Sequence, residues 1–66
     1  MNVKEIEKRI KEIENVVEDD EVAHIKEDSL YWDFVDYIAK TGNKDQRKKA
    51  RMILRTKKFD FARWCA

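Results

Sequence analysis

Val3, Ile6, Ile10, Ile13 and Val17 follow one another at alternating steps of four and three after an opening step of three. That spacing lays a single apolar stripe along an α-helix. The remaining positions of the segment are mostly Lys and Glu, so the helix has one side for packing and a wide side for water. The pattern predicts a first helix from about Val3 to about Glu18. Asn2 is placed to cap its start, with Glu5 three residues later in the partner position of a capping box. Glu7–Lys11 is a favourable pair and Lys4–Lys8 a like-charge one, which gives the polar side only modest pairing support.

The acidic run Glu18, Asp19, Asp20, Glu21 interrupts the stripe. Asp19 or Asp20 is suited to cap a second helix, and the carboxylates beside it favour the positive end of that helix's dipole. This helix is expected from about Glu21 to about Lys40. Ala23, Leu30, Tyr31, Phe34, Val35 and Ile38 form one broad apolar face, with Trp32 and Ala39 to its side. Gly42, the only glycine, stands where a helix C-terminus favours a residue that tolerates left-handed dihedrals. Asn43 or Asp45 then starts a third helix, from about Lys44 to about Lys57, with Ala50, Ile53 and Leu54 as its seam and Met52 flanking it. No proline interrupts the chain. The expected fold is all-α, a single domain over residues 1–66: a small three-helix bundle with a short C-terminal helical turn.

That turn is read from the ending "TKKFDFARWCA". Asp60 is a suitable N-cap, and Phe59 before it stands to Trp64 as the two halves of a hydrophobic staple. The tail aromatics Phe59, Phe61 and Trp64 are expected to plug the open end of the bundle, each burial contributing roughly 1.5–3 kcal/mol. An exposed aromatic hook for a partner is the competing reading. The plug matters because 66 residues support only a thin core. Cys65 is the single cysteine, so no internal disulfide forms, and with the single His24 it falls short of a four-ligand structural zinc site. Packing or oligomerisation must supply the stability, and the stripe of the first helix is long enough for a homodimer seam. The charged N-terminal segment reads as neither a signal peptide nor a membrane span, which leads to an expectation of a cytoplasmic protein with no membrane partner.

Charge is segregated along the chain. Residues 1–39 carry five Lys or Arg against twelve Asp or Glu, and residues 40–66 carry ten against two. Within the basic half, Lys44, Lys48, Arg51, Arg55 and Lys58 recur at steps of four and three, with Arg47, Lys49 and Lys57 flanking them. Cations in the first turns of a helix oppose its dipole, so helix stability does not account for Lys44, Arg47, Lys48 and Lys49. The stripe could track phosphates or meet an acidic protein. It could also be neutralised by the acidic faces of the first two helices, within the chain or in a head-to-tail dimer. A helix-turn-helix over "YIAKTGNKDQRKKARMIL" does not fit. Its locking apolar positions would fall on the polar Asn43, Lys48 and Arg51.

Catalytic and metal chemistry find little support. His24, Glu27 and Asp28 share one helix face, with Asp20 and Glu21 a turn earlier, a grouping that resembles part of a divalent-metal site. Apart from Asp33 and Asp36 no second cluster answers it. The preferred role for these residues is structural: Glu27 or Asp28 pairs with Arg63 to pin the tail, with His24 at the same junction beside Asp60 and Trp64. Cys65 is the penultimate residue, a poor place for a nucleophile that needs a positioned base. No glycine-rich phosphate loop is present. The expectation is a non-enzyme without a cofactor.

"EVAHIKEDSLYWDFVDYIA" together with "DFARWCA" resembles a group of small uncharacterised bacterial and phage proteins that have an AHxxEDxLY segment and a DFxRWC ending. The resemblance runs from Ala23 and His24 through Glu27, Asp28, Leu30 and Tyr31 to Asp60, Phe61, Arg63, Trp64 and Cys65; the first helix lies outside it. It implies a phage or prophage-type origin and no assigned chemistry. The expected function is a binding or accessory protein that contacts a host or phage protein, in the host cytoplasm if phage-encoded. A nucleic-acid-associated protein using the basic third helix is the alternative.

Overall fold

The computed structural model describes residues 1–61, so Arg63, Trp64 and Cys65 lie outside the described residues. Three helices follow one another: α1 over Val3–Glu14, α2 over Asp20–Thr41 and α3 over Lys44–Leu54, with a 3-10 turn at Arg55–Lys58. The all-α, three-helix architecture expected from periodicity is present.

Each helix starts on a side-chain cap. Asn2 Oδ1 accepts from the Glu5 N–H at 2.9 Å, and Asp19 Oδ1 accepts from the Val22 N–H at 3.2 Å. Asn43 forms a complete capping box, accepting from the Gln46 N–H at 2.8 Å while its own N–H donates to Gln46 Oε1 at 3.0 Å. These bonds satisfy donors that a helix N-terminus would otherwise leave open.

The helix ends depart from expectation. α1 stops at Glu14, four residues early, and the chain then turns through short-range bonds such as Val16 N–H to Ile13 O and Asp19 N–H to Val16 O. The physical reason is local: Asn15 and the β-branched pair Val16–Val17 are weak helix formers, and the acidic run ahead would crowd the negative end of the dipole. α3 likewise gives way at Arg55 to the tighter 3-10 turn, and the Thr56 hydroxyl donates back to Ile53 O at 2.9 Å.

Gly42 corrects a second expectation. Its φ of −69° and ψ of 176° are extended, and no described residue has positive φ. Glycine is needed there for space. A Cβ would lie 2.9 Å from both Gln46 Cβ and Ile38 O, because the two-residue link Gly42–Asn43 brings the start of α3 tightly against the end of α2.

Among the described residues, the buried side chains are Leu30, Ala39 and Ala50. Leu30 and Ala39 are nine positions apart, which at about 100° per residue places them on opposite sides of α2. α2 is therefore the central helix, with α1 against one flank and α3 against the other, while α1 and α3 do not touch. The Cα envelope measures 39 × 33 × 10 Å. Its thin dimension is too small for two stacked layers, whose axes would lie about 8–10 Å apart with a Cα cylinder about 4.6 Å wide on each. The three helices lie side by side in a single layer, and Ala39 and Ala50, whose small side chains permit a close approach, sit where α2 and α3 make the more extensive of the two seams.

Of the three tail aromatics expected to plug the bundle, Phe59 and Phe61 are described and Trp64 lies outside the described residues. Phe59 and Phe61 are 60% and 56% exposed. Asp60 is exposed and lies outside any helix, and the capping and staple expected with Trp64 fall outside the described residues.

Candidate functional site

α3 carries the densest group of like charges. The helix repeat brings Lys44, Lys48, Arg51 and Arg55 onto one flank, with Arg47 at its edge toward α2. Lys58 stays in line because side chains three apart eclipse one another in the 3-10 turn that begins at Arg55. Between these side chains runs an open hollow lined by Lys44, Arg47, Lys48, Arg51, Met52 and Arg55, with Asp45 at its border. Its walls all come from α3 and the first residue of the turn after it.

The neutralisation considered for this stripe is not made by direct pairing within the described chain. The ion pairs are Arg9–Asp33, His24–Asp28, Lys40–Asp36 and Lys49–Asp45. Only the last involves α3, and it stays on that helix. Lys57 turns away toward α2, where its Nζ sits 4.8 Å from the centre of the Trp32 ring, a cation–π contact of about 0.5–1 kcal/mol at an accessible site. Lys44, Arg47, Lys48, Arg51, Arg55 and Lys58 have no carboxylate partner among the described residues.

The expected junction residues are divided. His24 Nε2 lies 3.2 Å from Asp28 Oδ2 on the same helix. Glu27 faces Tyr31 one turn later. The Glu27 charge, then its hydrogen bonding to the phenol, then partial desolvation and the Asp28 charge raise the Tyr31 pKa above its ordinary value. The pairing of Glu27 or Asp28 with Arg63 lies outside the described residues. Among the described residues no three His, Cys, Asp or Glu side chains are grouped to hold a metal ion, and no helix is long and apolar enough to cross a membrane.

One residue that sequence reasoning passed over proves structural. Arg9 reaches from α1 to α2, where Nη1 donates to Asp33 Oδ2 at 2.7 Å and Nη2 donates to Ser29 Oγ at 3.3 Å. A signal was present: Ile6, Arg9 and Ile13 recur at steps of three and four, and all three are half-buried on the side of α1 that meets α2. The charged member of that row has to find a partner across the seam.

These features define a small all-α protein with one cationic helix flank. In comparison with known proteins, no family model matches the chain, and no curated protein or solved structure matches it. Its function is therefore argued from its own residues.

Proposed function

We propose that this chain is a small non-enzymatic binding or accessory protein of phage or prophage type, working in the cytoplasm of the host cell through protein–protein contacts. The cationic flank of α3 is the docking surface for an acidic host or phage protein, and the chain self-associates as a homodimer. One observation carries the reading: Lys44, Arg47, Lys48, Arg51 and Arg55 gather on one flank with no carboxylate partner among the described residues. Concentrated like charge of this kind steers encounter with the opposite charge.

Nucleic acid is the second candidate for the same flank. The hollow supports a protein partner better, because its described lining includes no aromatic side chain on which a base could stack and has Asp45 at its border to repel phosphate. Met52 offers an apolar anchor instead.

The test replaces Lys48, Arg51 and Arg55 together with Gln, which keeps good helix propensity. The parent should form no tight complex with random-sequence duplex at physiological salt. It should capture a host protein that the triple variant loses, with both folded alike by circular dichroism. A sub-micromolar, salt-sensitive duplex complex that the triple variant weakens would replace this reading with the nucleic-acid one.

A further inference from the structure

A layer one helix thick has two faces, and in this chain they differ. Arg9 leans from α1 toward Ser29 on one side of the α1–α2 seam. Projecting each helix from the residues that meet its neighbour places the cationic flank of α3 on that same side. The other side collects apolar groups from all three helices. α1 contributes Val3 and Ile10, seven positions apart; α2 contributes Tyr31 and Phe34; α3 contributes Ile53. All five are exposed, Tyr31 by 60% and Ile53 by 56%. Single exposed apolar residues are ordinary, but a patch gathered from three helices marks a contact surface.

We propose that a second copy of this chain covers this face, pairing the two layers through Ile10, Tyr31, Phe34 and Ile53. The inference rests on the self-association in the functional reading above and assigns the face and the occupant.

Three observations select a second copy. The first is stability: the described residues bury only three side chains, a thin core, and a second layer adds to it wherever the chain itself is present. The second is extent, since a layer 39 × 33 Å in its plane has room for a patch of the roughly 800 Å² per partner that a standard interface buries. Charge supplies the third. Stacking through the apolar faces leaves the two cationic flanks on opposite outer surfaces, whereas stacking through the other faces would press Lys44, Arg51 and Arg55 of both copies together. The resulting dimer presents two α3 flanks, one outward on each side.

Sedimentation equilibrium of the full chain over a concentration series tests the pairing. The expected species is twice the 8.0 kDa chain mass, with a melting temperature that rises with concentration. Phe34→Glu should weaken dimerisation by at least about tenfold, whereas Ile25→Glu, a more exposed apolar site on the opposite face, should leave it nearly unchanged. Should Phe34→Glu fail to fold, a photo-crosslinking benzoylphenylalanine at position 31 should join two copies, and the same group at position 25 should not. An 8.0 kDa species at the highest soluble concentration, equal weakening by Ile25→Glu, or crosslinking from position 25 alone would each overturn the proposal. Acidic-partner capture by a chain that stays monomeric would leave the α3 docking reading standing and remove only the dimer.

Discussion

The two seams of the layer are built on different principles. At α2–α3 the connection is two residues long, the N-cap is a complete box, and two alanines let the helix backbones approach. At α1–α2 five residues, 15–19, make the connection, α1 buries nothing fully, and one guanidinium spans the gap to Asp33 and Ser29. A short link with small residues fixes geometry by excluded volume. A longer link with large half-buried residues leaves the angle to be set by a charged hook and by whatever covers the exposed stripe.

Overfilling the tight seam should break the contrast most strongly. Ala50→Leu adds a branched side chain where 5% exposure leaves no room, and should cost about 1–3 kcal/mol in chemical denaturation. A cost near zero would mean that α2 and α3 separate as easily as α1 and α2. Next comes Asn43→Ala, which removes the side-chain half of the capping box at the corner and leaves the bond from the residue-43 N–H to Gln46 Oε1 in place; about 1 kcal/mol is expected, read as a lower denaturation midpoint.

The loose seam should respond less. Arg9→Ala deletes a partly exposed pair at 2.7 Å, so a loss below about 1 kcal/mol is expected. Asp33→Ala should lose a similar amount, and the double variant little more, because both remove the same contact. A loss above that of Ala50→Leu would reverse the ranking of the seams.

The smallest effect is alkaline and belongs to α2, which both seams share. Tyr31 has its pKa raised in the folded chain, so as pH climbs past the ordinary tyrosine value of about 10 the unfolded state releases its proton first. Stability should therefore be unaffected below that pH and fall as pH rises toward the folded pKa. Glu27→Gln removes the principal cause, and ultraviolet titration should then show the late phenol ionising earlier. An unchanged titration would detach Glu27 from Tyr31.

Much of the fold was legible because its signals are local. Asn2, Asp19 and Asn43 were readable as caps because a cap needs only a polar side chain and an N–H three residues on. Other expectations failed where non-local packing intervened. Gly42 is required for the space between two helices, although its position suggested a dihedral role. Phe59 and Phe61, expected to be buried, are more than half exposed. The cationic flank of α3 was legible as a row of residues, while its lack of carboxylate partners among the described residues depended on where α1 and α2 lie.

What the sequence determined by itself is the set of three helices, their capped starts and the residues that share each helix side, since these follow from interactions three or four positions apart. Tertiary structure alone decided that the helices lie flat, that Arg9 meets Asp33 twenty-four residues away, and that the apolar stripe of α1 is only partly spent on α2. Those outcomes depend on the direction in which each connection sends the next helix. A stripe's spacing says which residues share a side, but only packing says what that side meets.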